Sequence, residues 1–266
     1  MYNKMNFNID TLIKMGKTHS LHCEDDYIVV ENDNFLVAAV FDGCSSGIDS
    51  HYASTKHKYL MKEVAENFNW LWDYKKKHTI KDNVFYFVFS VHNELKSEKY
   101  EVNKEMLSTI VLLFINKHTN EYGIVFCGDG CCSINGENIS VHDEHGNAVW
   151  YLSTVTDKQF EEYFENYCHY YEGVIDNNME IAISSDGIES FMTKYGSYNK
   201  EYPQDIFFNT KNSLPEKYHN WKLERLYNVL TKGKLPNMEN DEGLSNIDDL
   251  TIIKVKIDKD KTDEVA

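Results

Sequence analysis

Continuous apolar runs recur along the chain, and most are bounded by Asn, Asp or Gly residues. Short runs that are rich in Val, Ile, Phe and Tyr predict strands buried in a sheet. Eight strands are predicted in this way: Tyr27–Val30, Phe35–Phe41, Thr109–Asn116, Tyr122–Cys127, Cys131–Ile134, Asn138–Val141, Met179–Ser184 and Leu250–Ile257. Asn34 and the pair Asn135-Gly136 are typical of the tight turns that join hairpin strands.

A second set of segments has the spacing of helices. In the first of them, Ala53, Leu60 and Val64 belong to an apolar series with steps of mainly three or four residues. Five helices are predicted: Ser50–Trp72, Val84–Lys99, Asp157–Tyr171, Ile188–Tyr195 and Pro215–Thr231. Aromatic residues of the third are interpreted as its packing face: Tyr163, Phe164, Tyr167, Tyr170 and Tyr171. Strands at both ends of the chain, with helices between and after them, indicate an α+β fold of antiparallel sheets covered by helices.

The sequence shows no boundary between domains. Proline first occurs at Pro203, and no Gly/Ser-rich linker or internal repeat interrupts the 266 residues. We therefore expect one domain over residues 1–258 and a charged tail over residues 259–266. The apolar runs are far shorter than the about 20 residues that cross a bilayer. No signal-peptide pattern is present, and we expect a cytoplasmic monomer.

Charge narrows the set of partners. Lys and Arg number 27, Asp and Glu number 43, and the formal net charge is −16. Such a surface repels nucleic acid and anionic membranes, so neither is an expected partner, whereas multivalent cations are well matched. Six cysteines, expected to be reduced, have irregular spacings: Cys23, Cys44, Cys127, Cys131, Cys132 and Cys168. A zinc cluster is disfavoured because adjacent Cys131 and Cys132 would point to opposite faces of a strand.

Acidic residues adjoin five of the predicted strands. Three of these acids follow strands: Asp42, Asp129 and Asp186. Two acidic segments precede strands, namely Glu24-Asp25-Asp26 and Asp248-Asp249. Any one such acid is an ordinary turn residue. If the strand ends converge, however, the carboxylates would repel one another unless a cation lay among them, and Mg²⁺ and Mn²⁺ prefer carboxylate and carbonyl oxygens. Periodicity leaves both interpretations open.

At these residues the chain resembles the metal-dependent phosphatases of the protein phosphatase 2C family, in its bacterial-type subgroup. Six segments carry the resemblance in the family's order: Gly16-Lys17-Thr18-His19 with Cys23-Glu24-Asp25, Val40-Phe41-Asp42-Gly43, Leu107-Ser108-Thr109, Cys127-Gly128-Asp129-Gly130, Ile183-Ser184-Ser185-Asp186-Gly187-Ile188 and Asp248-Asp249-Leu250-Thr251. The fold implied is a four-layer α-β-β-α sandwich with two antiparallel sheets, and the implied metal site lies at the strand ends.

The resemblance also implies roles for individual residues. Six would form the site of two Mg²⁺ or Mn²⁺ ions: Glu24, Asp25, Asp42, Gly43, Asp186 and Asp248. Asp42 would bridge the ions, Asp186 would hold one of them, and both would be catalytic. Two such ions supply a bridging hydroxide near neutral pH and clamp the phosphoryl oxygens for in-line attack. The implied activity is that of a protein serine/threonine phosphatase acting on phosphoserine or phosphothreonine in a protein substrate.

Three departures from the family pattern qualify this expectation. Ser20 stands where many relatives have a phosphate-gripping arginine, and the remaining candidates for binding phosphate are Lys17, His19 and His22. Cys44 stands at the position of a proposed proton-donating histidine. Ser190 stands where the family has an aspartate that binds a third metal ion, although Asp129 would still be present for such an ion. The alternative is a catalytically weak or inactive phosphatase-like binding or regulatory module.

Overall fold

The protein is described by a computed structural model that covers residues 5–44, 50–68, 78–97, 105–142, 151–193, 195–198, 201–208, 220–233 and 243–259. Two five-stranded antiparallel sheets form its centre. Sheet A has the order β1 (Met5–Lys14), β12 (Leu250–Lys259), β9 (Met179–Ser184), β6 (Gly130–Ile134) and β7 (Glu137–Val141). Sheet B has the order β2 (Asp25–Glu31), β3 (Phe35–Gly43), β4 (Ser108–Asn116), β5 (Glu121–Cys127) and β8 (His169–Val174).

Helices cover the outer face of each sheet. Sheet B carries α1 (Ser50–Asn67), α2 (Ile80–Ser97) and α3 (Phe160–Asn166), and sheet A carries α4 (Glu201–Phe207) and α5 (Leu223–Thr231). A two-stranded ladder, β10 (Phe191–Met192) with β11 (Ser245–Asn246), lies beyond the end of β9. None of the described helices is long and apolar enough to cross a membrane.

Three buried clusters account for the layers. The central one joins the inner faces of both sheets, with Val40 and Val111 of sheet B among Ile183 and Val255 of sheet A. The outer face of sheet B packs on α1, α2 and α3, and the outer face of sheet A packs on α4 and α5. Alternation along each strand sends successive side chains to opposite clusters. The predicted α-β-β-α sandwich is confirmed.

Both predicted hairpin turns are present. Asn135 and Gly136 have positive φ angles of 52° and 80°, the conformation that an Asn-Gly hairpin turn requires. At the other turn, the Asn32 side chain accepts hydrogen bonds from the backbone of Asn34 and Phe35, at 2.9 and 3.0 Å. The six cysteines are free, and Cys131 and Cys132 face different clusters as expected.

Four strands, one helix and several boundaries differ from the prediction: the sequence predicts none of the described strands β1, β8, β10 and β11, and it predicts a loop where α4 lies. The sequence does not predict strands β1 and β8, because each lies at a sheet edge with few fully buried residues and therefore lacks a continuous apolar run. The predicted third helix ends at Asn166, so Tyr170 and Tyr171 belong to β8 and not to a helix face. The predicted fourth helix is a 3₁₀ turn, Asp186–Glu189, followed by β10.

The ends of other elements also shift. The predicted fifth helix is present as α5 over Leu223–Thr231, and residues 215–219 of its predicted range lie outside the described ranges. The first helix ends at Asn67, and the part of its predicted range beyond Phe68 also lies outside them. Lys259 belongs to β12 and not to the charged tail. Residues 260–266 of that predicted tail lie outside the described ranges.

Candidate functional site

Sheet B places two carboxylates side by side at one edge of the sandwich. The β2–β3 register sets Asp25 directly opposite Asp42, the acid near the end of β3. Gly43 follows, and a Cβ at this position would lie 2.2 Å from the Ser50 carbonyl oxygen and 2.9 Å from that of Glu24. Glycine is therefore required for the close approach of two segments to the end of β3. One is the first turn of α1, and the other is the opening segment, residues 16–24 before β2.

Sheet A brings three more acids to the same edge. Strand β9 ends at Ser184, and its antiparallel partners β6 and β12 both start at this end. The segment before β12 therefore carries Asp248, the segment before β6 carries Asp129, and the 3₁₀ turn after β9 carries Asp186. Each of the three acids lies within one or two residues of its strand because an Asp-Gly or Asp-Asp pair marks the strand end.

Ser185 joins the two sheets beneath these acids. Its hydroxyl donates to Asp25 Oδ2 at 2.7 Å, across the sandwich. The Thr251 amide of β12 donates to the same hydroxyl oxygen at 3.0 Å, and the Ser185 amide donates to the Thr251 carbonyl at 3.1 Å. Ser185 belongs to one of the segments that carry the family resemblance, but the sequence assigns it no role. Its contacts fix the distance between the acids of sheet A and those of sheet B.

The carboxylates raise one another's pKa. Burial, opposed by the Ser185 hydrogen bond, raises the pKa of Asp25 to about 8. Burial, followed by the charges of Asp25, Asp186, Asp248 and Asp129, raises the pKa of Asp42 well above its usual range. Burial and the charges of Asp129 and Asp248 raise the pKa of Asp186 to about 6. The protein alone therefore disfavours the fully ionised state of this site.

A divalent cation fits this group of residues. Asp25 Oδ1 is buried and has no hydrogen-bond partner within the described ranges, which leaves an oxygen lone pair for another ligand. The surrounding donors are carboxylates and a glycine carbonyl, the oxygen ligands of Mg²⁺ and Mn²⁺. In the part of the chain that the structure describes, no three acidic, His or Cys side chains already stand close enough to hold an ion. Binding would draw the carboxylates closer together.

Asp249 holds the opening segment against the site. Asp249 Oδ1 accepts a hydrogen bond from the Gly16 amide at 2.7 Å, and Oδ2 accepts one from the Glu24 amide. The Glu24 carbonyl in turn accepts a bond from the Gly43 amide at 3.1 Å. The sequence assigns no role to Asp249. The only signal for Asp249 in the sequence is its position as the second acid of the Asp248-Asp249 pair. In the structure Asp249 is buried, whereas the side chain of Asp248 is 51% exposed.

The three predicted phosphate-binding side chains have different positions. Lys17 Nζ donates to Ser245 Oγ of β11 at 2.5 Å. His19 Nδ1 lies 2.8 Å from Asp249 Oδ2. Burial lowers the pKa of His19, but the hydrogen bond and charge of Asp249 outweigh that effect and raise it. His22 is exposed and stacks on His51 of α1, with ring centroids 4.2 Å apart.

Cys44 lies beside a tyrosine that the sequence does not indicate. Its amide donates to the Leu107 carbonyl at 3.0 Å, which fixes the backbone just after Gly43. Burial and a side-chain hydrogen bond with Cys44 raise the pKa of Tyr151, and the charges of Asp129 and Asp42 add to the effect. The proton-donor position is therefore occupied by a thiol paired with a phenol that stays protonated.

Ser190, at the position of the family's third-metal aspartate, and its neighbour Glu189 stabilise the 3₁₀ turn that carries Asp186. Ser190 Oγ donates to the Gly187 carbonyl at 2.8 Å and accepts a bond from the Asp248 amide at 3.1 Å. Ser190 thus links the turn of Asp186 to the segment of Asp248. The carboxylate of its neighbour, Glu189, contacts Gln204 of α4 at 2.7 Å. A third ion at Asp129 remains a prediction.

The raised pKa values predict how the metal-free protein responds to pH. Because Asp25 titrates near pH 8 when folded and near 3.8 when free, the folded state holds more protons between these values, and its stability falls as pH rises. His57 and His92, whose pKa burial lowers, are neutral throughout the upper part of this range. In chelator, the melting temperature should fall between about pH 6.5 and 8.5. Saturating Mn²⁺ should remove the fall; a melting temperature that rises with pH in chelator would contradict the assignment.

Solved structures with this fold include phosphatase domains. The PP2C phosphatase domain of SpoIIE from Bacillus subtilis, with a fragment of its regulatory domain, is 15% identical, with a TM-score of 0.58 over 97% of this chain and 66% of that one. RsbX in complex with magnesium is 15% identical, with a TM-score of 0.54 over 96% and 99%. The catalytic domain of PstP with two manganese ions is 12% identical, with a TM-score of 0.52 over 96% and 100%.

A family model gives the particular family. The model described as Protein phosphatase 2C matches residues 16–229, which is most of the chain. The chain belongs to the protein phosphatase 2C family. It spans slightly less than two thirds of the SpoIIE structure but almost all of RsbX and of the PstP catalytic domain. No curated protein sequence gives a significant match.

Proposed function

We propose that this chain is a Mg²⁺- or Mn²⁺-dependent protein serine/threonine phosphatase that hydrolyses phosphomonoesters. One observation carries the proposal: carboxylates from two different sheets meet at a single edge, where Asp25, Asp42 and Asp186 all have raised pKa values. A fold gains nothing in stability from such a group of acids by itself. Membership of the protein phosphatase 2C family supports the same reaction class.

Each residue of the site would have a distinct task. Asp42 is acted on by the charges of Asp25 and of the sheet A acids, and it would contact both ions. The Gly43 carbonyl and Glu24 would be further ligands of one ion. Asp186 and Asp248 would hold the second ion. Asp25 would support the ligands of the ions through Oδ1, the oxygen that has no hydrogen-bond partner within the described ranges. When bound, two divalent cations supply an activated water and stabilise charge on the phosphoryl oxygens.

The cysteines are poor candidates for a covalent mechanism. Burial raises the pKa of Cys132 to about 12 and raises that of Cys131 as well. Burial and the charges of Asp249 and Asp25 also raise the pKa of Cys23. These thiols are protonated at neutral pH, and a thiol is a weak nucleophile compared with its thiolate. Hydrolysis without a phosphoenzyme intermediate therefore agrees with their environments.

Metal binding is expected to stabilise the folded protein. A cation that binds only the native state at 100 times its dissociation constant adds about 2.7 kcal/mol to the free energy of unfolding. Millimolar Mn²⁺ should therefore raise the melting temperature in differential scanning fluorimetry, and Asp42→Asn should lose most of that rise. Asp176→Asn is a matched control, because Asp176 is exposed and lies before β9, at the opposite end from Ser184. A wild-type protein that shows no shift would remove the metal site.

The alternative is a binding or regulatory module that keeps the metal site without turnover. Its specific support is the absence of an arginine near the carboxylates. The sole arginine, Arg225 of α5, stacks over Trp221 just before this helix, with 3.6 Å between the guanidinium carbon and the ring centroid. Lys17 and His19 are engaged by Ser245 and Asp249. Turnover of p-nitrophenyl phosphate and of phosphoserine peptides with Mn²⁺ distinguishes the two functions. Stabilisation by Mn²⁺ without any hydrolysis would identify the module.

A further inference from the structure

A buried polar cluster lies directly behind the turn that carries Asp186. Glu189, the last residue of this turn, is only 9% exposed. Its Oε1 accepts a hydrogen bond from Gln204 Nε2 at 2.7 Å. The same amide nitrogen lies 3.0 Å from Ser140 Oγ of β7 and 3.5 Å from Cys131 Sγ of β6. The cluster therefore joins helix α4, two strands of sheet A and the turn of Asp186.

Two further contacts of Glu189 are weaker or more exposed. Cys131 Sγ lies 3.6 Å from Glu189 Oε1, and His142 Nε2 lies 3.4 Å from Oε2. The side chain of His142 is half exposed, whereas Gln204 is buried with Ile206 of the outer cluster. The Gln204 amide is thus a short, buried donor to this carboxylate. It fixes the direction in which the Glu189 carboxylate points.

A buried carboxylate at this place opposes folding unless it serves another purpose. Removing an ionised group from water costs several kcal/mol before its hydrogen bonds are counted. The charge of Glu189 also acts on Asp186, where it adds to the effects of burial and of Asp129 and Asp248 in raising the pKa. An uncharged residue would pack against α4 without that repulsion. The negative charge is therefore unfavourable for the metal-free protein and favourable for cations at the neighbouring site.

The position of α4 affects the position of Asp186 through the 3₁₀ turn, Asp186–Glu189. Only Gly187 and Ile188 separate Asp186 from Glu189, and both are buried. A Cβ on Gly187 would lie 1.6 Å from the Asp249 carbonyl oxygen, so the turn has no room to move toward that backbone. A turn held at one end by Gln204 and packed against the Asp249 backbone has a fixed orientation. The contact with Gln204 and the packing against the Asp249 backbone together determine where the Asp186 carboxylate lies.

We propose that Glu189 and Gln204 are positioning residues of the metal site, which act on the ion at Asp186 through charge and through the orientation of its turn. This inference rests on the proposed function and deepens it. Neither residue would be a ligand of the ion. The docking of α4 on sheet A is thereby coupled to cation affinity, and a change in α4 alters the occupancy of the site at the strand ends.

The test is a Mn²⁺ titration of the full chain, with free Mn²⁺ followed by electron paramagnetic resonance. Glu189→Gln removes the charge and keeps the shape, and we expect its dissociation constant to rise about tenfold, within the range seen when residues around metal ligands are replaced. Glu172→Gln is the control: it removes one charge at an exposed position on β8, in the other sheet, and should leave the dissociation constant unchanged.

A second variant separates positioning from charge. Gln204→Asn shortens the side chain by one methylene, loses the 2.7 Å contact and leaves the charge of Glu189 in place. We expect weaker Mn²⁺ binding here too, and in the double variant an effect smaller than the sum of the two single effects. A merely structural role would lower the melting temperature in chelator and leave the dissociation constant of the folded protein unaltered.

Failure of the inference is distinguishable from failure of the proposed function. If the wild type binds Mn²⁺ and both folded single variants bind it within twofold of the wild type, the positioning role is wrong and the metal site stands. If one variant does not fold, the other decides the question by the same criterion. If the wild type itself binds no Mn²⁺, the proposed function is overturned together with the inference.

Discussion

Replacement of Asp186 by asparagine is expected to remove nearly all of the hydrolytic activity. Asparagine has nearly the same shape as aspartate, but it removes a negative charge at the point where Asp129 and Asp248 also act. Loss of one such electrostatic group lowers kcat by about 10²–10³-fold in enzymes that stabilise charge in the transition state. Initial rates on p-nitrophenyl phosphate at saturating Mn²⁺ measure the effect.

The stability of the same variant separates loss of chemistry from loss of fold. Because the raised pKa of Asp186 reports an unfavourable charge in the metal-free protein, Asp186→Asn should melt in chelator at the wild-type temperature or above it. The exposed control Asp176→Asn should retain wild-type activity. A folded Asp186→Asn protein with more than a tenth of the wild-type rate would contradict the role assigned to Asp186.

Replacement of Gly187 by alanine is expected to destabilise the fold strongly. The new Cβ would lie 1.6 Å from the Asp249 carbonyl oxygen and 2.7 Å from its carbon, and no side-chain rotation relieves a clash with backbone. We expect a loss at or above the upper end of the about 1–3 kcal/mol that overpacking costs. Urea unfolding of the variant in chelator measures this loss.

A second glycine provides the comparison for Gly187. Gly196 has a positive φ of 83°, but a Cβ added there would meet no described atom within 4 Å, so alanine costs only the about 1–2 kcal/mol of a left-handed backbone. Gly196→Ala should keep full stabilisation by Mn²⁺, whereas Gly187→Ala should lose it because the Asp186 turn is displaced. Equal Mn²⁺ responses in the two variants would show that the turn tolerates displacement.

The acids at strand ends are predictable because their signal is local. Asp42 and Asp186 each follow an apolar strand and precede a glycine, and such a pair can be recognised without knowing the fold. Their convergence is not predictable from periodicity. It depends on β12 and β6 lying on either side of β9, a pairing between segments far apart in the sequence. The resemblance to a family supplies that topology, and the structure agrees with it.

The supporting residues carry no comparable signal. Ser185 reaches Asp25 across the sandwich, and Gln204 reaches Glu189 from a separate helix. Neither serine nor glutamine stands out by type, charge or spacing, so only the three-dimensional arrangement reveals its role. Edge strands escape prediction for a related reason: β8 has one paired side and only partly buried residues, and its Tyr-rich sequence fits a helix face equally well.

The pairing of β1 with β12 determines when the site can form during synthesis. Met5 pairs with Lys259 and Lys14 with Leu250. Strand β1 therefore cannot pair in sheet A until β12 has been synthesised. Asp248 and Asp249 leave the ribosome just before β12, and Asp249 then captures the opening segment at Gly16. Contacts between such distant segments require the closure of a long loop before they add stability, and they slow folding. A nascent chain therefore carries Asp42 in an unfinished sandwich and gains its full set of cation ligands only once β12 has been translated.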